Sequence, residues 1–243
     1  MEIQARTEIG LVREQNEDSF LACSHRQLLV VADGMGGHQA GEIASQLTVQ
    51  VFNRCIRKIE GEINPLNLLD AVVQEANREI LRYASRYSGY QGMGTTLTAA
   101  LIRRNYLYLA HVGDSRAYLI RSGMIRRLTV DHSVVEELLR KGVISEEEAV
   151  HHPYRNVLTR ALGTEPEVKV DLIKEIFQPG DYLLLCTDGL TNLVLDLEIC
   201  DLISRAGTLK DALDQLVNLA LLRGGHDNIT VVLVELAYRG EVS

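Results

Sequence analysis

Leu28-Leu29-Val30-Val31-Ala32-Asp33-Gly34 is the stretch on which the fold turns. Its first five residues are apolar without interruption, which predicts a short strand buried on both faces. The strand is expected to stop at Asp33-Gly34, where a turn dipeptide follows the apolar run. The same pattern returns at 181–186 (DYLLLC), followed by Thr187 and a second Asp-Gly at 188–189. Residues 2–7 and Ser19–Cys23 read as strands ahead of the first run. After it, Ile43, Ala44, Leu47, Val51 and Ile56 recur every three or four residues and predict a helix from about Gly41 to Glu60. Leu68, Leu69, Val72, Ala76, Ile80 and Leu81 predict another from Pro65 to about Tyr83.

Thr95–Arg103, Tyr106–Val112 and Arg116–Arg121 are strand-like, and the short links Arg104-Asn105 and Gly113-Asp114 predict an antiparallel meander. One or two short helices over 133–152, a helix near 208–223 and a last strand at 229–236 follow. Strands in antiparallel groups with helices in separate pairs indicate α+β layering rather than alternating βαβ units.

A chain of 243 residues with no Pro-, Ser- or Gly-rich divider predicts a single domain, 1–243. Its 46% apolar content excludes a disordered or low-complexity polymer. The 25 Lys+Arg against 33 Asp+Glu leave a formal charge of −8, which argues against nucleic acid, since the pairs Arg103-Arg104 and Arg126-Arg127 are too short to form a basic stripe. There is no basic stretch with an apolar run behind it at the N-terminus, and no window approaches about 18 uninterrupted apolar residues. Neither secretion nor a membrane span is encoded, and a cytoplasmic location is expected. Cys23, Cys55, Cys186 and Cys200 lie far apart, without a C-x-x-C pair, and fit reduced, mostly buried thiols.

The chemistry collects where the acids fall: Asp33 after LLVVA, Asp114 between two strands, Asp188 after LLLCT, and Asp227 two residues before ITVVLV. A lone Asp-Gly is usually a turn; four carboxylates at strand ends are a different matter. If those strands share one sheet edge, like charges crowd together and need cations to neutralise them. Hard oxygen ligands without a Cys or His pair favour Mg²⁺ or Mn²⁺ over Zn²⁺. Two such ions bridged by a carboxylate would lower the pKa of a shared water, a nucleophile suited to in-line attack on phosphorus. In Asp33-Gly34-Met35-Gly36-Gly37-His38 the glycines let backbone approach a metal or phosphate closely, and His38 is a candidate general acid. Arg13, five residues before Asp18, can set a planar fork for a phosphate beside a carboxylate.

These residues resemble the metal-dependent protein serine/threonine phosphatases of type 2C, the PPM family, in its compact bacterial form. The matching blocks are Arg13-x-x-Asn16-Glu17-Asp18, Val31 through His38, Met93-Gly94-Thr95-Thr96, Val112 through Arg116, Asp131-His132-Ser133, His152 through Gly163, Leu185 through Leu190, and Gly225 through Thr230. They run in the family's order over nearly the whole chain. The resemblance implies a four-layer α-β-β-α sandwich, two central antiparallel sheets flanked by helix pairs. It implies hydrolysis of phosphoserine and phosphothreonine in proteins by direct attack of a metal-bridging hydroxide, without a phosphoenzyme.

Carried over residue by residue, Asp33 resembles the carboxylate that bridges two metals, Gly34 the backbone carbonyl ligand of one, and Asp188 and Asp227 ligands of the other. Glu17 and Asp18 would support metal waters, and Asp114 would serve a third, looser Mn²⁺ or Mg²⁺. Arg13 would hold the substrate phosphate and His38 would protonate the departing oxygen. Segment 133–160 resembles the family's flap, and its acids, Glu136-Glu137 and Glu146-Glu147-Glu148, read either as selection for basic residues around the phosphosite or as a solvated helix face. The implied partners are phosphorylated proteins and a cognate serine/threonine kinase, for a monomer that engages neither nucleic acid nor membrane. The chain is expected to lack the spanning tail and sensor domains of some relatives.

Two other classes compete. A catalytically dead binding module should have lost a metal aspartate or the phosphate arginine, yet Arg13, Asp33, Asp188 and Asp227 are all present. A nucleotide hydrolase should show a base-stacking pocket, whereas the chain has no Trp and 3 Phe beside its 9 Tyr. Cysteine phosphatase chemistry is disfavoured because no Cys-x₅-Arg loop occurs.

Overall fold

A computed structural model of the chain describes residues 1–36, 40–56 and 63–238. In chain order its elements are β1 (Glu2–Glu8), β2 (Asp18–Cys23), β3 (Leu28–Met35), α1 (Ala40–Ile56), α2 (Pro65–Arg86), β4 (Gly94–Thr95), β5 (Leu97–Arg103), β6 (Tyr106–Val112), β7 (Arg116–Arg121) and β8 (Met124–Arg127). They continue with α3 (Val134–Arg140), α4 (Glu146–Val150), β9 (Asp171–Ile176), β10 (Tyr182–Cys186), α5 (Asp188–Thr191), α6 (Asp196–Arg205), α7 (Leu209–Leu222) and β11 (Ile229–Glu235).

A first sheet has the order β2-β3-β5-β6-β9, with β4 added against the end of β3, and a second has the order β1-β11-β10-β7-β8. Every pairing is antiparallel. The strand period of two sorts each central strand between two apolar layers. Leu28 and Val30 of β3 face α1 and α2, where they meet Val51, Phe52, Leu69 and Ile80. Leu29 and Val31 face the other way, onto Leu183, Leu185, Val232 and Val234 of the second sheet. Leu184 and Leu233 in turn face Leu213, Leu216 and Val217 of α7. The run that was apolar at every position is apolar because both of its faces are covered, and the α-β-β-α sandwich follows.

Helix starts are fixed locally. The Asn64 side chain accepts from the Leu66 amide at 3.0 Å ahead of Pro65 at the first turn of α2, and Thr208 accepts from Asp211 at 3.1 Å ahead of α7. Cys186 and Cys200 are buried and Cys23 and Cys55 partly so, all four as free thiols.

Three expectations change. Strand β3 does not stop at Asp33: Asp33 pairs with Asp18 on β2, and Gly34 and Met35 go on to pair with Thr95 and Gly94. Gly113-Asp114 is not a hairpin link, because β6 and β7 belong to different sheets. Gly113, at φ +105°, carries the chain across, and a Cβ there would stand 2.6 Å from that of Thr96. The meander is therefore broken, and the four aspartates come from two sheets rather than one edge. Helix α1 is described to Ile56, and the remainder of the expected helix, 57–60, lies outside the described residues.

Strands β8 and β9 complete the layers without having been singled out as elements, and Cys200 lies in helix α6. The β7–β8 turn has Ser122 and Gly123 at φ 50° and 73°, a conformation that a two-residue hairpin demands.

Leu185→Ala empties a fully buried position between the sheets and is expected to cost about 2–5 kcal/mol in urea unfolding. Leu197→Ala, at a position 80% exposed, should stay within about 0.5 kcal/mol of the parent. Equal losses at the two positions would contradict the assignment of the middle layer.

Candidate active site

The ends of both sheets meet around a cleft of about 720 Å³ lined by Arg13, Glu17, Asp33, Gly34, Asp114, Asp188 and Asp227, with Asn156, Val157 and Leu158 on a further wall. The first sheet supplies Asp18 and Asp33, paired across β2 and β3, and Asp114 just past β6. The second supplies Asp188 just past β10 and Asp227 just ahead of β11. All seven acids and backbone positions expected at the site are thus brought together. His38 lies outside the described residues.

The backbone beneath the carboxylates is clamped. The Asp33 amide donates to Thr96 Oγ1 at 2.9 Å, and the Asp33 carbonyl accepts from Thr95 Oγ1 and from the Thr96 amide, each at 2.8 Å. Asn228 holds the segment that carries Glu17: its Oδ1 accepts from the Glu17 amide at 2.8 Å, and its Nδ2 donates to the carbonyls of Ile9 and Gln15 at 2.9 Å. The Gly34 amide donates to the Glu17 carbonyl at 3.1 Å. A Cβ on Gly34 would run into the Gly41 carbonyl and come within 2.6 Å of the Glu17 carbonyl, so the start of α1 rests directly on the end of β3.

Thr187 joins the two sheets. Its hydroxyl accepts from the Thr230 amide at 3.0 Å and donates to Asp18 Oδ2 at 2.8 Å. Thr96, Thr187 and Asn228 were not singled out as functional from the sequence. They lie inside the blocks quoted above but carry no chemistry of their own to draw notice.

The carboxylates oppose one another. Removal from water, and then the charges of Asp18, Asp188, Asp114 and Asp227, hold the pKa of Asp33 well above the ordinary carboxylate range. Burial, with Asp188 and Asp131 behind it, pushes Asp114 up to about 8. Burial pushes Asp18 up to about 7 against the hydrogen bonds of Thr230 and Thr187. Asp188 is raised by burial and by Asp227, and Glu17 by burial.

This donor set fits divalent cations. Asp18 Oδ1 and Asp188 Oδ1 are buried with no hydrogen-bond partner, the condition expected of oxygens whose partner is an ion. The donors are hard oxygens with no thiolate among them, as Mg²⁺ and Mn²⁺ prefer. Among the described residues no three acidic, histidine or cysteine side chains close into a ready-made cation cage. Ions held here would therefore use a few carboxylates each and complete their shells with water.

Arg13 stands at the rim, its Nη2 on Asp227 Oδ2 at 2.7 Å and its side chain half exposed. The acids Glu146, Glu147 and Glu148 do not line the cleft. They form the first turn of α4, where Ser145 and Glu148 make a capping box, so the solvated-helix reading of that run is the one the contacts support.

The profile of the protein phosphatase 2C family matches residues 12–221. The serine/threonine phosphatase stp of Listeria monocytogenes is 42% identical over 241 residues, which span 97% of this chain and 96% of that protein. The solved structure of the Mycobacterium tuberculosis serine/threonine phosphatase PstP/Ppp superposes with a TM-score of 0.91 at 41% identity, covering 98% of this chain and 99% of that one. A second solved structure, the catalytic domain of the phosphatase PstP in complex with two manganese ions, gives a TM-score of 0.88 at 40% identity, over 96% of this chain and 97% of that one.

In the fold, Asp18, Asp33, Asp114 and Asp188 all prefer the neutral form more than they do in the unfolded chain. Their contribution to stability is complete below the ordinary carboxylate pKa of about 4 and is lost as pH rises through the raised values. Metal-stripped protein should thus melt at a lower temperature at about pH 8.5 than at about pH 5.5. Added Mn²⁺ should raise the melting temperature more at the higher pH, where its ligands are already ionised. Melting temperatures independent of pH in the stripped protein would contradict the crowding of charge.

Proposed function

Since this chain belongs to the protein phosphatase 2C family and is a protein serine/threonine phosphatase, we propose that the cleft between its sheet ends is the catalytic centre and is charged with two Mn²⁺ or Mg²⁺ ions, with a third near Asp114. The observation that carries the reading is the pair of partnerless buried oxygens, Asp18 Oδ1 and Asp188 Oδ1, in a cluster of carboxylates too crowded to stay ionised alone. Asp33, the Gly34 carbonyl, Asp188 and Asp227 would hold the two core ions, Asp114 the third, and Glu17 and Asp18 the surrounding water. The PstP catalytic domain, similar over 96% of this chain, is a solved relative in complex with two manganese ions. When bound, such ions supply a water acidic enough to attack phosphorus at neutral pH and offset the charge of the phosphoryl group.

The side chains divide the remaining work. Arg13, held on Asp227, turns its fork to the phosphate oxygens of the substrate and spreads the charge of the transition state. The clamped backbone of Asp33 keeps its carboxylate from following the reacting group, so that geometry prepared in advance replaces reorganisation during the reaction. His38 keeps its proposed place as proton donor to the leaving serine or threonine oxygen on the sequence motif alone.

As a protein phosphatase the chain acts on phosphoproteins. We extend the reading to a single catalytic domain that works as a cytoplasmic monomer and reverses the products of a serine/threonine kinase. Among the described residues no helix is long and apolar enough to cross a membrane.

The deciding experiment is phosphate release from a phosphothreonine peptide by the purified chain, stripped of metal and then titrated with Mn²⁺ and Mg²⁺. Release that appears only on metal addition is expected. None with either ion, from folded protein, would overturn the assignment. Asp33→Asn should abolish turnover. Arg13→Ala should chiefly raise the substrate concentration needed for half-maximal rate, by about tenfold or more for the loss of a charge-assisted pair. Asp114→Ala should lower the rate while leaving the core pair in place.

A further inference from the structure

His132 belongs to the Asp131-His132-Ser133 block and holds none of the roles assigned to the cleft. It is 5% exposed, in the loop between β8 and α3, and every polar atom it owns is engaged. Its amide donates to the Gly113 carbonyl at 2.7 Å, and the Gly113 amide donates back to His132 Nδ1 at 3.0 Å. Its carbonyl accepts from the Thr159 amide at 2.8 Å, at the neck where Ser133 and Leu158 bridge the two ends of segment 133–160. Its Nε2 lies 3.2 Å from Asp171 Oδ2, and Arg160 Nη1 binds the other Asp171 oxygen at 2.9 Å.

The Gly113 amide fixes the protonation of the ring. An N–H is an obligate donor, so Nδ1 must be bare, which excludes both the Nδ1–H tautomer and the imidazolium. The proton resides on Nε2 and is donated to Asp171. Arg160 Nη1, 3.0 Å from that nitrogen, directs its own hydrogen to Asp171. Burial favours the same neutral ring.

What the ring holds is the crossing between the two sheets. Gly113 takes φ +105° and precedes Asp114, which faces the cleft. We infer that His132 is a positioning residue: its Nδ1 and amide hold the Gly113 turn that presents Asp114, and its Nε2, carbonyl and chain neighbour tie that turn to the neck of segment 133–160. The inference rests on the reading of Asp114 as a cation ligand. Asp114 and the segment that walls the cleft are thus set by one imidazole, so that a change in either is felt by the other.

The test uses the full chain in four forms besides the parent: His132→Leu, which removes both ring hydrogen bonds; His132→Asn, whose carbonyl oxygen can replace Nδ1 as acceptor; Asp114→Ala; and Asp114→Ala with His132→Leu. Mn²⁺ binding is read by calorimetry without substrate, and phosphate release is read separately. Asp114→Ala should abolish the weakest Mn²⁺ step. His132→Leu should weaken that step about tenfold or more, the scale of lost partners to ligand-bearing groups. His132→Asn should recover most of the loss, and His132→Leu should add nothing in the Asp114→Ala background.

Nitrogen NMR of the parent ring should show a bare Nδ1 and a protonated Nε2, and this measurement stands even where the Leu variant fails to fold. A protonated Nδ1 overturns the inference. So does a folded His132→Leu with the parental Mn²⁺ isotherm, an Asn variant as impaired as Leu, or additive losses in the double variant. If the parent binds no Mn²⁺ and releases no phosphate, the reading of the cleft fails first. If the parent and Asp114→Ala behave as expected and His132→Leu is normal, the inference alone fails.

Discussion

Mutual repulsion among carboxylates drawn from two sheets is the constraint that the rest of the molecule answers. Asp18, Asp33, Asp114 and Asp188 all favour protonation because each has lost water and gained like-charged neighbours. Nothing about the cluster is self-stabilising; it exists because the sheets beneath it are held together by other means. Leu29, Val31, Leu183, Leu185, Val232 and Val234 form a dry layer between them, and that layer brings four strand ends to one place whether or not the charges agree. The helix pairs then bury the outer faces, so the aspartates are confined by apolar packing on three levels.

Confinement alone would allow the strand ends to splay. Three neutral hydrogen-bonding side chains prevent it: Thr96 on the Asp33 backbone, Thr187 between β10, β11 and Asp18, and Asn228 on the segment leading to Glu17. Their work suits hydroxyls and an amide, which bind carboxylate and backbone without adding charge to a crowded site. The close rest of Gly34 on Gly41 serves the same end by letting the chain reverse into α1 without lifting β3 from its neighbours.

Much of this was legible in the residues. The unbroken apolar runs at 28–32 and 183–185 could be read as doubly covered strands because their alternation was hidden by burial on both sides, and the acids stood out by following those runs directly. The errors have one source, the treatment of glycine and short links as endings. Asp33-Gly34 reads as a stop, yet β3 finds new partners in Gly94 and Thr95. Gly113-Asp114 reads as a hairpin link, yet the positive φ of Gly113 serves a crossover between sheets. Strand β9 is hard to read from the sequence because Asp171-Leu172-Ile173-Lys174-Glu175-Ile176 does not alternate strictly between charged and apolar residues, and it lies on an edge, where the partner strand β6 decides.

The neck of segment 133–160 has a meaning for how such a protein can change over time. Val134 and Thr159 donate across it to Val157 and His132, so a two-rung ladder closes the loop before it leaves the body of the fold. What lies beyond those rungs carries none of the clustered carboxylates, and the entropic cost of making it longer grows only with the logarithm of its length. Residues 137–155 are in effect an exchangeable cassette, a stretch that can be lengthened, recharged or replaced as a recognition surface while the strands that carry the aspartates stay as they are.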